Sequence, residues 1–149
     1  MASRPIRWTV APAHAARFTP AVLDAVVART IIAAEDVKRE LAGRRVSRLC
    51  LTLPDSPDIY LKEYSIPLAK PFRALVRPYG FDEWRTAQVL QQKGIPTVLP
   101  VAIGAVRRCG LYRKVYFMTE AIPDSMTLKE YIDRYGPRGK TISFSRTVT

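Results

Sequence analysis

Histidine and cysteine are nearly absent from this chain: His14 is the only histidine among 149 residues, and Cys50 and Cys109 each stand without a C-x-x-C partner. That set cannot assemble a zinc site or a c-type haem attachment, and the two cysteines are expected as small buried apolar side chains. Long apolar runs are missing too. The longest, residues 20–34, is interrupted by Asp24 and Arg29 and falls short of a membrane span. Near the start, Arg4 and Arg7 precede no sustained apolar core, and Pro5 and Pro12 break the stretch, which excludes the pattern of a secretory signal. A cytoplasmic, reduced protein is the expectation. Acidic residues are scarce, with 13 Asp and Glu against 24 Lys and Arg, so the net charge is +11. Such a surface attracts anions, whether nucleic acid, nucleotide phosphate or an acidic membrane face.

What is present is enough for one folded domain. Hydrophobic residues make up 48% and charged ones 25%, far from the composition of disorder. Residues 1–19 show no period and read as a lead-in. From Pro20, Leu23, Val26, Val27, Ile31 and Ala34 recur at helical spacing, giving one helix or a short helix running into a strand. Around Gly43, residues 36–53 place Val46, Leu49, Leu51 and Leu53 in near alternation, the mark of a β-hairpin. Turn formers in residues 54–58 precede the β-prone Ile59-Tyr-Leu-Lys-Glu-Tyr64, a third strand paired with the second. A loop through Pro67, Pro71 and Pro78 leads to a helix over residues 81–93, with two acids at its start and Lys93-Gly94 followed by Pro96 at its end, as capping and dipole rules require. Residues 100–108 and 111–120 flank Cys109-Gly110 as a second hairpin. Thr127-Leu-Lys-Glu130 has capping-box spacing and opens a helix through Tyr135. The predicted fold class is α+β: a five-stranded antiparallel sheet, one principal packed helix, and an extra helix before the first strand. The expected divisions are an extension with a helix (1–35), a lobe (36–122), a link and the start of the next helix (123–136), and an irregular basic tail (137–149).

The order hairpin, strand with a lysine, helix with an early glutamate, second hairpin and link is that of a kinase N-terminal lobe. In such lobes a third-strand lysine holds the nucleotide phosphates and a glutamate on the next helix aims it. Lys62 occupies the strand place and Glu83 the helix place. Glu83 shares a helical face with Ala87 and Leu90, which turns its carboxylate inward. An inward carboxylate without a partner would cost about 3 to 5 kcal/mol, so Lys62 is its expected cation.

Specific stretches carry a family resemblance over residues 36–135. Asp58-Ile-Tyr-Leu-Lys-Glu-Tyr64, Glu83-Trp-Arg, Lys93-Gly-Ile-Pro-Thr97 with Val101-Ala-Ile-Gly104, Tyr116-Phe-Met-Thr-Glu120-Ala-Ile-Pro123 and Thr127-Leu-Lys-Glu-Tyr131 together resemble the bacterial lipopolysaccharide kinases, the Kdo and heptose kinases with a protein-kinase-like fold. The resemblance implies ATP as cofactor, held by Lys62 with Glu83 orienting it. It places Thr119 at the gatekeeper position and sets the backbone from Glu120 to Ile122 against the adenine edge. It implies a sugar of the lipopolysaccharide inner core, or a lipid A precursor, as acceptor, and peripheral association with the acidic inner face of the inner membrane.

Two departures qualify that expectation. The first hairpin offers Leu41-Ala-Gly43-Arg44-Arg45 and not the G-x-G-x-x-G phosphate cover; Arg44 or Arg45 would have to stand in. After Tyr135 there is no H-x-D catalytic loop and no D-F-G metal motif. The expectation is therefore a truncated kinase lobe, inactive alone, whose base and magnesium ligands belong to a missing C-terminal lobe, with apolar residues near Phe117, Ala121, Leu128 and Ile132 left uncovered as a patch. Gly136-Pro-Arg-Gly139-Lys140-Thr141 matches the end of a Walker A loop but lacks its first glycine. The rival readings are a basic nucleic-acid-binding module using Arg44, Arg45, Arg107 and Arg108, and a pseudokinase-like interaction domain. Nucleic acid is the less favoured partner, because Tyr60, Tyr64, Tyr112 and Tyr116 need not share an exposed face.

Overall fold

The computed structural model describes residues 5–67, 69, 72, 79–126 and 128–136. Its elements are β1 (Arg7–Val10), a single 3-10 turn (Pro12–His14), α1 (Pro20–Val27), β2 (Ile32–Leu41), β3 (Arg44–Leu51), β4 (Ile59–Ser65), α2 (Tyr79–Gln92), β5 (Pro100–Arg108), β6 (Leu111–Glu120) and α3 (Leu128–Tyr135). The strands form one open antiparallel sheet in the order β1-β5-β6-β4-β3-β2. The sheet has six strands and not the expected five, because the lead-in supplies β1 along the edge of β5, pairing Trp8 with Gly104.

Residues 20–34 resolve as a short helix running into a strand. Thr19 caps α1, its hydroxyl accepting from the Val22 N–H, and Pro20 takes the first turn. The helix ends on Arg29 in the left-handed region (φ 61°), with Thr30 N–H bonding Ala25 O and Arg29 N–H bonding Val26 O, the two closing bonds of a Schellman motif. α2 ends the same way on Gly94 (φ 68°), through Ile95 N–H to Leu90 O and Gly94 N–H to Gln91 O. The proposed capping residue Thr127, the tail from Pro137 and most of the Walker-like stretch lie outside the described residues, as does much of the Pro67 to Pro78 loop.

Strand alternation divides the core into two layers. On one face Leu49, Leu51, Leu61, Tyr116 and Met118 pack with Phe18, Leu23 and Val26 from the chain before β2. On the other, Tyr64, Ile103, Ala105, Val115 and Phe117 pack with Trp84 of α2. Each fully buried Leu or Phe contributes roughly 2 kcal/mol of apolar transfer, so α1 and α2 clamp the sheet from both sides. Gly104 matters on the α1 face: a Cβ there would stand 2.5 Å from the Trp8 ring, so its lack of a side chain seats the indole. Trp8 then donates from Nε1 to Asp24 Oδ1 at 2.8 Å, tying β1 to α1.

Burial sharpens one expectation and corrects another. Phe117 is only 2% exposed, with Trp84 crossing it edge-on at 6.2 Å between ring centroids, and Ala121 is buried as well. Around the link to α3, Ile122, Met126, Tyr131 and Tyr135 are open to solvent; Ile132 is half-buried, and the Leu128 side chain lies outside the described residues. Both cysteines are exposed. Cys50 points away from the layer that takes Leu49 and Leu51, and Cys109 sits in the β5–β6 turn with φ 51°. Among the described residues no helix is long and apolar enough to cross a membrane.

Candidate functional site

β4 lies between β3 and β6, and Lys62 stands opposite Val46 on one side and Phe117 on the other. The pleat sends Tyr60, Lys62 and Tyr64 to the α2 face. There the Lys62 Nζ sits 5.6 Å from the centre of the Phe117 ring. α2 is held over this face by Trp84 and Ala87, both buried, and that packing brings the preceding residue, Glu83, down onto the strand.

The structure joins the two residues that the order of elements singled out. Lys62 Nζ donates to Glu83 Oε2, with the two side chains 26% and 31% exposed. The second carboxylate oxygen, Oε1, accepts from the Tyr64 hydroxyl, and Arg44 Nη2 approaches it to 3.8 Å. Partial burial pushes the Glu83 carboxyl upward, but the bonds from Lys62 and Tyr64 and the charges of Lys62 and Arg44 outweigh it and hold the group below its ordinary range. Burial raises the Tyr64 phenol well above its ordinary value, and the adjacent Glu83 raises it further against the opposing charge of Arg44. Glu83 is therefore an anion and Tyr64 a neutral donor at ordinary pH.

The gatekeeper candidate Thr119 is buried and paired with Tyr60, one pleat from Lys62 on the same face. Glu120 and Ile122 lie farther along. The Glu120 side chain turns to His14, 3.5 Å away, its N–H bonds Leu99 O, and the Ala121 N–H bonds Asp58 O. Ile122 is 56% exposed. Lys62 and Glu83 thus meet directly, whereas the side chains of Glu120 and Ile122 do not enter their cluster. Beside Tyr60 a cavity of about 730 Å³ opens between the sheet and α3, bordered by Lys38, Asp124, Met126, Glu130 and Arg134. At its edge Lys38 pairs with Asp36 at 2.6 Å and with Glu130 at 3.5 Å.

Tyr64 was not foreseen as the second partner of Glu83, although the Lys62-x-Tyr64 spacing puts both on one face. On the opposite face, and also unforeseen, Arg29 grips Glu63 at 2.9 Å and Glu35 at 3.3 Å, while Arg45 joins Glu35 at 3.1 Å. Among the described residues no group of three His, Cys, Asp or Glu could hold a metal ion.

Fold and site together define an α+β lobe whose central strand presents a lysine to a helix-borne glutamate. Among solved structures the chain is similar to WaaP in complex with acyl carrier protein, at 19% identity and a TM-score of 0.53, over 91% of this chain and 48% of that one. At that identity the likeness shows the fold, and the chain spans about half the length of that structure. No family model matches the sequence, and no curated protein does.

Proposed function

We propose that this chain is the nucleotide-holding lobe of a kinase that phosphorylates an inner-core sugar of lipopolysaccharide. The observation that carries the reading is the bond between Lys62 and Glu83 across the gap between sheet and helix, in the order of elements that kinase lobes require. The likeness in fold to WaaP is in keeping with it. The donor set suits a polyphosphate: a lysine fixed by a carboxylate, with Arg44 beside it, is a cationic cluster on a half-exposed face.

In this reading ATP, when bound, supplies the phosphoryl group. Lys62 holds the α- and β-phosphates. Glu83 keeps the ammonium from swinging away, and Tyr64 keeps Glu83 from rotating by occupying its other oxygen. Thr119 closes the back of the nucleotide site, and the backbone from Glu120 to Ile122 meets the adenine edge, where fixed donors and acceptors give specificity without reorganisation. A catalytic base and magnesium ligands would come from a second lobe. The acceptor is an inner-core sugar or a lipid A precursor, and the net charge of +11 suits a place against the acidic inner face of the inner membrane. The nucleic-acid alternative is less well supported, because Tyr64 and Tyr116 are buried on opposite faces of the sheet and leave no shared stacking platform.

Titration of the 149-residue chain with ATP tests this. Saturable binding without turnover is expected, weakened about tenfold or more in Lys62→Met through loss of a charge-assisted phosphate contact. Equal binding by Lys62→Met, or no binding by the parent chain, would overturn the reading.

A further inference from the structure

The hairpin beside the site lacks a glycine-rich phosphate cover, yet it delivers a cation. Gly43 makes its turn at φ 76°, and its carbonyl accepts from the Ser65 N–H at 2.8 Å. A Cβ at this position would lie 3.0 Å from Ser65 O. The tip is therefore fastened to the end of β4 and is not placed to fold over a ligand. The next residue, Arg44, stands opposite Tyr64 in the β3–β4 register. Its guanidinium carbon lies 5.3 Å from the centre of the Tyr64 ring, a contact that orients the planar group. Arg45 turns to the other face, where Glu35 holds it, so only one of the two arginines reaches the site.

The charges around Glu83 do not balance. Its two oxygens are engaged by Lys62 and Tyr64. Arg44 Nη2, at 3.8 Å, is beyond hydrogen-bond length and is attracted without being satisfied. Its Nε is shielded from solvent and has no hydrogen-bond partner among the described residues, while the side chain as a whole is 38% exposed. Two cations face one carboxylate, and Arg44, half-exposed beside the Lys62–Glu83 pair, makes no hydrogen bond to it.

We propose that Arg44 is a second phosphate-binding residue of this site, whose guanidinium takes the part that a glycine-rich loop plays with backbone amides. Its ligand is a pair of phosphoryl oxygens of a nucleoside polyphosphate, gripped bidentately. The inference rests on the nucleotide reading above and assigns the role that the missing loop leaves vacant.

Calorimetric titration of the full chain with inorganic tripolyphosphate and, separately, with ATP tests it in the parent, Arg44→Gln, Arg44→Lys and Lys62→Met, each checked for cooperative thermal unfolding. Arg44→Gln is expected to weaken both ligands together by about tenfold, the size of one charge-assisted contact. Arg44→Lys should recover part of the loss, because it restores charge without the fork. Unchanged tripolyphosphate affinity in Arg44→Gln overturns the inference and, if ATP still binds, leaves the nucleotide reading standing. An Arg44-dependent tripolyphosphate affinity that ATP does not exceed supports the anion site and sinks the nucleotide reading. Failure of the parent to bind either ligand overturns both.

Discussion

Lys62 and Glu63 are neighbours on β4, and the pleat sends them to opposite faces of the sheet. Each ties a helix to the same strand: Glu63 through Arg29 at the end of α1, and Lys62 through Glu83 in α2. The Glu63 cluster is closed, since Arg29 and Arg45 meet Glu35 and Glu63 and their charges cancel. The Lys62 cluster is open, since Lys62 and Arg44 share Glu83 and one positive charge is left over. A balanced cluster beside a sealed apolar layer serves the fold; an unbalanced one on the other face can receive an anion. The α1 side is accordingly where substitutions should harm stability, and the α2 side where they should harm binding.

The largest effect should come from the sealed layer. Leu61 is fully buried beneath it, and Leu61→Ala is expected to lower unfolding stability by about 2 to 5 kcal/mol in chemical denaturation. Next is Gly104→Val, which drives methyl groups into the Trp8 ring. A loss of about 1 to 3 kcal/mol should accompany increased Trp8 solvent exposure, read by fluorescence quenching. Arg29→Ala opens the closed cluster and keeps a left-handed residue without a stabilising side chain; a loss of about 1 to 2 kcal/mol is expected, with Arg29→Gly about 1 kcal/mol less damaging because glycine accepts that backbone freely. If Arg29→Ala proves neutral, the contrast between the clusters fails.

The smallest change in stability at neutral pH belongs to Glu83→Gln, within about 1 kcal/mol because the pair is partly solvated. Its signature is the pH profile. The carboxyl is held below its ordinary value of 4.5, so its contribution is complete above that value and is lost as pH falls through the lower folded-state value. Glu83→Gln should flatten the acid limb of a stability-against-pH curve. Tyr64 supplies the opposite limb: its phenol is raised above 10.0, so its contribution is present below pH 10 and is lost as pH rises further. Tyr64→Phe should flatten that side and leave the acid limb in place.

Much of this was legible in the sequence where the signal is local. The Gly94 stop of α2, the two hairpins and the Lys62–Glu83 pairing follow from caps, alternation and the order of elements. What escaped depends on contacts between distant segments. The four residues of β1 are too short to show a period, and the Trp8 ring takes its place over a Gly104 that leaves no room for a side chain. The choice between Arg44 and Arg45 turns on pleat parity in β3, whose partner β2 carries irregularities between Ile32 and Ala34 and between Val37 and Arg39. Arg29 in a left-handed cap reads as an ordinary helical residue until Glu63 and Glu35 are seen to hold it. The cover that Trp84 lays over Phe117 joins residues far apart in the chain and leaves no local pattern.

The opposite charges at positions 62 and 63 also favour one register of β4 over its neighbours. A one-residue slip of β4 against β3 and β6 would exchange the faces of every side chain, aiming Glu63 at Glu83 and Lys62 at Arg29. Like charges would then confront each other on both sides at once, while the correct alignment satisfies both. The strand that carries Lys62 thereby penalises its own misalignment, independently of the hydrophobic pattern around it.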